Sequence, residues 1–591
     1  MKFLIKISFV IITSVACLLS FNVNVYAISN RVLIVTSVED PNVNSINIGS
    51  NVITDIICSG FPFDVISYRD LMKINFQKDQ NYGLVILAGY VDLVDPVKLV
   101  ETCKEILNEN RKIFINGIRL KKTEKNTSIE EILEKILNVD VRKLWFYGSV
   151  KIPIDIEKDN KITQEMPLVY RGRHFIIDKM SVKKITVNDK IVGFLSRNIG
   201  VIDGSKEFLL NILDYGKVVG YMMYGNSPKV GFSLDRIESR PIVSFEVHCD
   251  STNDLEAIKN IDELSKKYEI PLINLLVTSK LDNESIKLWK RITESNKFLL
   301  IGSHSHTHPD DWKKVVDFKK ETIDSLSIIK NHFPAATNYF NFSGWMNPTF
   351  EQLNILESEN IIFGGKGENI RWIKLPFNLG WREVKNQNII KKYAWKVLKR
   401  ITKPEQIQTM PINKTWIDLV ITGGKKKIYP SQTLIDDYDE FRNNKSFFEE
   451  TKRQFKENIT YGIYSYAYIH DYMFNKRNKQ FETNGEHFFD QIDKTFAFLK
   501  DKGAKFIFTN DLIRLLHDYL NGSIQYKIID KHNMLVEIER KFATANFVKV
   551  WVGKNNRVGI EGDSIVKKYN INDYIYLDLL PEKSSKIKLH F

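Results

Sequence analysis

The stretch SFEVHCDS, residues 244–251, combines a strand pattern with side chains that can carry chemistry. It continues the apolar run 241–243 (PIV), which predicts the start of a buried strand. Glu246, His248 and Asp250 occupy alternate positions, and alternate side chains of a strand lie on the same face of a sheet. We therefore expect one strand end to direct two carboxylates and an imidazole toward the same place.

A second stretch, SHSHTHP at residues 303–309, follows another predicted strand. If the chain turns helical after His304, the rings of His304 and His308 project to one side. Together with Asp250 from a neighbouring strand, they form a set of imidazole and carboxylate ligands suited to a divalent transition metal. Three protein ligands leave an open position, which is typical of a catalytic metal. We expect His306 to point elsewhere and to hydrogen-bond with its neighbours.

Alternating strand and helix patterns predict an α/β fold for residues 237–522. Seven such units would close into a seven-stranded (β/α) barrel, in which functional side chains lie at the carboxyl ends of the strands. The predicted strands are 242–246, 272–277, 298–302, 338–342, 361–363, 463–468 and 506–508. The two polar stretches fall at such strand ends.

The flanking segments have different patterns. Residues 28–236 alternate strands with a helix at 96–108, an order that resembles flavodoxin-like or amidotransferase-like α/β domains. The strand end at 115–118 carries no nucleophilic cysteine, so we interpret this domain as non-catalytic, with a binding or docking role. Residues 523–591 show short alternating runs, which predict a small all-β module for carbohydrate binding or for packing.

The first 27 residues have the pattern of a secretory signal peptide. A short basic start precedes an apolar run, and 25–27 (VYA) offers a cleavage site after Ala27. Cleavage predicts a secreted or cell-surface protein, whereas an uncleaved segment would act as a membrane anchor. The mature chain would keep Cys58, Cys103 and Cys249, a sparse odd set that does not suggest a disulfide framework.

The chain is basic, with 85 Lys and Arg against 72 Asp and Glu and a net charge of +13 over 591 residues. Such an excess can indicate nucleic acid, an anionic membrane or an acidic cell-wall polymer. The abundance of Lys, Asn and Ile also fits genomic compositional bias, so the charge is weak evidence. We expect no nucleic-acid partner and keep an anionic wall polymer such as teichoic acid as a secondary interpretation.

Taken together, the motifs resemble the polysaccharide deacetylases (NodB homology, carbohydrate esterase family 4) over residues 238–520. The His-x-x-x-His pattern within 303–309, preceded by the acidic strand end at 244–251, carries this resemblance. Asp311 and Trp312 after the histidines are more narrowly similar to the deacetylase domain of Pel-type exopolysaccharide proteins.

The same resemblance assigns a substrate loop to 342–348 (FSGWMNP), with Ser343, Gly344 and Trp345 as substrate-binding residues beside Asp311 and Trp312. Tryptophan rings in loops can stack on sugar rings.

The resemblance implies metal-dependent hydrolysis of the N-acetyl group of an aminosugar in an exopolysaccharide or cell-wall glycan. Asp250, His304 and His308 carry over as ligands of a divalent metal, with Zn²⁺ expected first and Co²⁺ or another divalent ion next. His470 carries over as the general acid that protonates the leaving amine. The implied partners are the polysaccharide and the machinery that synthesises and exports it.

The sequence departs from the family at the catalytic base, where a second Asp is usual. His248 occupies that position and Glu246 lies two residues earlier, so either is a candidate base, and His248 is also a candidate metal ligand. Three hypotheses stay open: an active deacetylase, a polysaccharide-binding pseudoenzyme, and a glycoside hydrolase that uses Glu246 with Asp250. The last ranks lowest, because residues four apart on a strand lie ~13 Å apart and glycosidase carboxylates lie ~5–9.5 Å apart.

Overall fold

The structure is a computed structural model of the 591-residue chain. It describes residues 27–29, 31–35, 60–76, 82–91, 96–108, 112–120, 149–155, 161–167, 185–187, 190–194, 229–233, 241–344, 348–364, 373–376, 415–422, 425–430, 432–435, 446–461, 464–483, 485–530, 532–544, 547–551, 558–571 and 574–591. In these ranges no helix has both the length and the apolar character needed to cross a bilayer. The predicted signal peptide lies almost entirely outside them, as does Cys58.

A curled parallel sheet forms the centre of the middle region. Six strands form its half-barrel in the order Ile362–Gly364, Ala336–Asn341, Leu299–Ser303, Leu272–Leu276, Ile242–Cys249 and Ser465–His470. A seventh, Lys505–Phe506, pairs with the start of Ile242–Cys249, which we call the central strand. These positions agree with the predicted strands, whereas closure into a complete seven-stranded barrel stays a prediction.

Helices connect the strands and cover the sheet. The first begins at Leu255, where the Asp254 side chain accepts hydrogen bonds from the backbone N–H groups of Glu256 and Ala257. The α-helices of this region are Leu255–Tyr268, Asn283–Ser295, Ser325–His332, Phe350–Ser358, Phe447–Tyr461, Phe488–Asp501 and Thr509–Asn521. Shorter helical turns are Thr278–Lys280, Trp312–Lys314, Lys320–Asp324, Asp471–Phe474 and Lys479–Phe481. Small antiparallel sheets join Ile373–Pro376, Thr415–Thr422 and Lys425–Pro430, and join Glu482–Thr483 with Glu486–His487.

From Val243 to Cys249 the central strand separates apolar from polar side chains by alternation. Val243, Phe245, Val247 and Cys249 are buried in the cluster that the sheet forms with its covering helices. The intervening side chains lie on the opposite face, inside the half-barrel, where Ser244 Oγ hydrogen-bonds Thr509 Oγ1 at 2.8 Å. The strand therefore delivers its polar residues to the interior of the half-barrel and to its carboxyl edge.

The N-terminal region contains a second, mostly parallel sheet. Its order is Phe63–Ile66, Arg31–Val35, Tyr82–Val91, Lys112–Leu120, Lys190–Phe194 and Ile185–Val187, the last pair being antiparallel. Numbered along the chain, the five parallel strands are arranged 2-1-3-4-5, which is the order of flavodoxin-like sheets. Helices Tyr68–Leu71 and Pro96–Asn108 and the hairpin Ser149–Asp155 with Lys161–Pro167 complete the described elements. The role of this domain stays a prediction.

Two antiparallel sheets form the C-terminal module. One runs Ala27–Ser29, Ser523–Ile528, Asn533–Glu539, Ser584–His590, Gly559–Glu561, and the other runs Lys229–Ser233, Phe547–Trp551, Tyr574–Leu579, Ile565–Ile571. Our predicted boundary assigned Lys229–Ser233 to the first domain, whereas the structure pairs it with Phe547–Trp551. Val230 and Phe232 explain the difference, because both are buried in the core that this module shares with neighbouring elements.

Candidate metal centre

Three predicted ligands converge at the carboxyl edge of the half-barrel. One ligand atom from each of Asp250, His304 and His308 lies within 4.8 Å of the others. His308 Nε2 is 3.3 Å and His304 Nε2 is 3.6 Å from the same oxygen, Asp250 Oδ1. The structure thus brings together side chains from two neighbouring loops in the arrangement that a shared cation requires.

Asp250 Oδ1 has an environment that a cation would complete. The atom is buried and has no hydrogen-bond partner of good geometry among the described residues, the nearest donor nitrogen being His308 Nε2 at 3.3 Å, which is a costly state for a carboxylate oxygen. Burial disfavours ionisation, but the nearby His308, His304 and His470 outweigh it and hold the pKa of Asp250 well below its ordinary value. An ionised oxygen that faces two imidazole nitrogens fits a divalent transition metal.

His304 is oriented for coordination by a neighbouring strand. Its Nδ1 lies 3.1 Å from the carbonyl oxygen of Asn341, so a proton on Nδ1 is donated there and the Nε2 lone pair faces Asp250. Burial, followed by the proximity of His248, lowers the pKa of His304 well below its ordinary value. The ring is therefore held in the neutral form that binds metals.

The loop that carries the two ligand histidines is not helical, and the expectation of a helical turn after His304 is wrong. Ser305 and His308 instead adopt left-handed backbone conformations, with φ of 86° and 64°. Such conformations are strained for residues other than glycine and persist where the surroundings fix them. Here the Ser305 hydroxyl accepts a 2.9 Å hydrogen bond from the backbone N–H of His308 and closes the loop.

Glu321 holds the histidine loop in place through hydrogen bonds, a role that the sequence did not predict. Its Oε2 accepts hydrogen bonds from the backbone N–H groups of His306 at 3.0 Å and Thr307 at 2.8 Å. Its Oε1 accepts a third from the Thr307 hydroxyl at 2.7 Å. Glu321 lies in the π-helical turn Lys320–Asp324, and such turns are frequent at functional sites. In sequence it resembles any acidic residue on a surface helix.

His470 lies on the other side of Asp250. Its Nε2 is 3.7 Å from Asp250 Oδ2, and its ring stacks on Tyr472 with centroids 5.0 Å apart. The adjacent Asp471 is buried and accepts hydrogen bonds from the backbone N–H groups of Ser251 and Thr252, which fixes the loop after Asp250. Burial, followed by the charge of Asp250, raises the pKa of Asp471 to about 7.

His248 lies between the metal centre and the interior of the half-barrel. Its ring stacks on Tyr468 at 4.4 Å and 9°, and its centroid is 4.3 Å from that of His304 and 5.6 Å from that of His470. Its Nε2 is 2.9 Å from Glu246 Oε1. The ring is therefore beside the proposed reacting groups and is bonded to a carboxylate behind it.

Glu246 does not reach the site, which argues against it as the catalytic base and leaves His248 as the other candidate that the sequence offered. Its side chain is 0% exposed. The hydroxyls of Tyr339 and Tyr466 each donate to it at 2.8 Å, and the Asn341 side-chain amide and His248 also contact it. Burial raises its pKa to about 7, although hydrogen bonds from Tyr466 and Tyr339 oppose the rise. This burial also argues against a glycoside hydrolase that uses Glu246 with Asp250.

Trp312 cannot stack on a sugar, contrary to our expectation. The side chain is 0% exposed, and its ring packs edge-on against Phe340 and Phe342 at 5.6 and 4.8 Å. Its indole N–H donates to the carbonyl oxygen of Ser343 at 2.8 Å. Trp312 therefore fixes the predicted substrate loop from inside.

The remaining predicted substrate residues are close to the histidine loop. Ser343 is buried and its hydroxyl donates to the carbonyl oxygen of Pro309 at 3.0 Å. Gly344 has φ of 70°, and a Cβ there would lie 2.8 Å from the Cα of Asp310. Asp311 caps the turn Trp312–Lys314 by accepting a hydrogen bond from the backbone N–H of Lys313. Trp345 lies outside the described residues.

Comparison with known proteins yields similar structures but no sequence relatives. No protein-family model and no curated protein sequence matches the chain. A solved peptidoglycan N-acetylglucosamine deacetylase is 14% identical, with 46% of this chain and 86% of that chain covered and a TM-score of 0.27. A CE4 family pseudoenzyme from Bacillus anthracis is 14% identical, with 46% and 66% covered and a TM-score of 0.28. A chitin deacetylase from Colletotrichum lindemuthianum is 12% identical, with 46% and 87% covered and a TM-score of 0.27.

These similar structures are polysaccharide deacetylases and a related pseudoenzyme, the kind of protein that the sequence motifs resemble. A closer relation to Pel-type proteins stays a prediction. At TM-scores of 0.27 and 0.28 the similarities carry no argument about function, which rests on the side chains described above.

Proposed function

We propose that the chain is a divalent-metal-dependent N-deacetylase of an N-acetylhexosamine polymer, either an exopolysaccharide or a cell-wall glycan. The observation that carries the proposal is the buried, unsatisfied Asp250 Oδ1 that faces the Nε2 atoms of His304 and His308. The resemblance of the sequence motifs supplies the substrate class. Zn²⁺ is the preferred metal of such a ligand set, with Co²⁺ as a substitute.

The reaction that fits these residues is amide hydrolysis, in which one water and one acetamido group give acetate and a free amine. Asp250, His304 and His308 would hold the cation, which when bound polarises a carbonyl and makes water more acidic. The water oxygen forms a bond to the acetyl carbon as the carbon–nitrogen bond breaks. His248 takes the proton of the water, and His470 gives a proton to the leaving nitrogen.

The second candidate is a polysaccharide-binding protein without turnover. It is favoured by one observation: Glu246, the other carboxylate on this face of the central strand, is sealed away from the site. If His248 cannot replace a carboxylate base, the same site would bind an acetylated sugar and a metal but would not hydrolyse the amide.

One experiment separates these candidates. The full chain is loaded with Zn²⁺ or Co²⁺, and metal affinity and acetate release from acetylated aminosugar polymers are measured. We expect His304→Ala to lose both. His306→Ala is the matched control in the same loop, because His306 Nδ1 contacts Thr278 Oγ1 at 2.9 Å and, as predicted, does not join the ligands. Metal binding without acetate release would favour the binding protein, and no metal binding at all would overturn both.

We also propose that the protein acts outside the cytoplasm, beside the machinery that makes and exports the polymer. The signal-peptide pattern supports secretion. Amino-terminal sequencing of the protein recovered from the producing cells tests this, with Ile28 expected as the first residue. A retained Met1 start would indicate an uncleaved anchor.

A further inference from the structure

We propose that Glu246 is a positioning residue that acts through His248, within a buried hydrogen-bond cluster made of Glu246, Tyr339, Asn341 and Tyr466. This inference rests on the proposed function, because it assigns the proton-accepting role to His248 and explains how that ring is held. Glu246 itself is fully buried.

The cluster surrounds the Glu246 carboxylate with four hydrogen-bonding side chains. Tyr339 Oη donates to Oε2, while Tyr466 Oη, the Asn341 amide and His248 Nε2 converge on Oε1. The donors come from three strands of the half-barrel, so the carboxylate cannot turn without breaking bonds to several of them.

This bonding in turn holds His248. An ionised Glu246 can only accept, so beside it His248 Nε2 carries the proton that it donates, and the ring then gains a further proton at Nδ1. The stacked Tyr468 ring, 4.4 Å away at 9°, restricts the plane of the imidazole. A carboxylate that holds an imidazole in one tautomer and orientation performs the task that the aspartate has in a serine-protease triad.

Asn341 links this arrangement to the metal centre. Its side-chain amide donates to Glu246, and its backbone carbonyl accepts from His304 Nδ1 at 3.1 Å. The same residue therefore orients a metal-ligand imidazole directly and the His248 imidazole through Glu246. A purely structural core would not require a carboxylate here, because burying one is costly and apolar side chains fill such positions at no such cost.

The test is a double-mutant cycle between Glu246→Gln and His248→Ala, with kcat, KM, Co²⁺ affinity and melting temperature measured for each variant. Loss of a supporting hydrogen-bond partner typically costs ~10–100-fold, and we expect that loss in kcat for Glu246→Gln. KM and Co²⁺ affinity should stay within about threefold of the unmodified chain. In the His248→Ala background, Glu246→Gln should change kcat by less than about threefold, since a positioning residue has nothing left to position.

Equal losses of kcat in both backgrounds would overturn the inference, and so would loss of Co²⁺ affinity in Glu246→Gln. Asp518→Asn is the matched control, because Asp518 is also a buried carboxylate but accepts from the backbone N–H groups of Phe542 and Thr544. It should lower the melting temperature and leave kcat unchanged. If Glu246→Gln does not fold, Tyr339→Phe replaces it and should give a smaller loss that also disappears without His248.

A second readout does not depend on turnover. The chain has 11 histidines, and ¹⁵N-histidine NMR of the protein, with His248 assigned by its absence in His248→Ala, reports which ring nitrogen carries the proton. We expect a protonated Nε2 that changes in Glu246→Gln. If the unmodified chain releases no acetate, the proposed function fails, and the NMR result alone then decides the positioning role. An unchanged tautomer would overturn it.

Discussion

Two carboxylates four residues apart, one on the central strand and one just after its end, have opposite environments. Glu246, in the interior of the half-barrel, is contacted by four hydrogen-bonding side chains. Asp250, at the carboxyl edge, has a buried oxygen that faces two imidazoles and has no well-aligned hydrogen-bond partner in the described part of the chain. The enclosed carboxylate can only orient its neighbours, whereas the one at the edge can bind a cation. Both side chains are carboxylates, so their depth in the half-barrel separates the two roles.

The different environments shift the pKa values of the two carboxylates in opposite directions. Burial dominates at Glu246 and raises its pKa to about 7. At Asp250, burial is outweighed by His308, His304 and His470, which hold its pKa well below the ordinary value. A carboxylate that stays ionised is the form a metal requires.

Removing the charge of the edge carboxylate should have the largest effect. Asp250→Asn keeps the shape but leaves two imidazoles without an anionic co-ligand, so we expect Zn²⁺ or Co²⁺ affinity to be lost. Acetate release should fall on the order of 10³-fold, because a bound cation supplies several kcal/mol of transition-state stabilisation. Metal titration and acetate assays check this prediction. For Glu246→Gln we expect Co²⁺ affinity to be retained. If Asp250→Asn also retained it, Asp250 would not be a metal ligand and the two carboxylates would not differ in this role.

Glu246, the interior carboxylate, should affect how the free energy of unfolding depends on pH. Its pKa rises from an ordinary 4.5 to about 7 on folding, so between these values the folded chain binds more protons than the unfolded chain. The contribution of Glu246 to the free energy of unfolding should therefore be highest below pH 4.5 and fall by about 3 kcal/mol as the pH rises to 7, and Asp471, whose pKa also rises to about 7, adds a slope of the same sign. Denaturant unfolding of chelator-treated protein across this range should show the slope, and Glu246→Gln should reduce it. A variant with the same slope would place the titrating group elsewhere.

The sequence was sufficient to predict which side chains share a face but not how deep each lies. Alternation along 244–251 put Glu246 and Asp250 on one side, as observed. The burial of Glu246 depends on Tyr339 and Tyr466, which come from two other strands and have no local signal near it. Local pattern therefore predicts direction, and only the assembled sheet determines environment.

The histidine loop gives the complementary lesson, because the predicted meeting of His304 and His308 occurs for a different reason than expected. A helical turn would have brought the two rings to one side, whereas the structure uses left-handed backbone at Ser305 and His308 and ties the two residues between them to Glu321. For Trp312 the predicted role is wrong: its motif suggested an exposed ring that stacks on a sugar, but the ring is buried in a cluster with Phe340. Contacts between residues distant in sequence decide both outcomes.

Glu321 allows a finer test of the comparison, since it is a third carboxylate and supports the metal centre without facing it. In Glu321→Gln the amide nitrogen replaces one acceptor oxygen, so at least one hydrogen bond to His306 N–H, Thr307 N–H or the Thr307 hydroxyl is lost. The left-handed His308 can then relax, and we expect Co²⁺ affinity to fall by about tenfold, the lower end of the effect of supporting ligand contacts.

The matched control for this test is Glu284→Gln, which neutralises an exposed first-turn glutamate of the helix Asn283–Ser295 and should leave Co²⁺ affinity unchanged. The contrast with the interior carboxylate is then specific: Glu321→Gln should weaken metal binding with kcat of the loaded protein largely retained, whereas Glu246→Gln should lower kcat with metal binding retained. If Glu321→Gln binds Co²⁺ as tightly as the unmodified chain, the loop is held by Ser305 and its own backbone contacts. The hydrogen bonds of Glu321 would then not contribute to metal affinity.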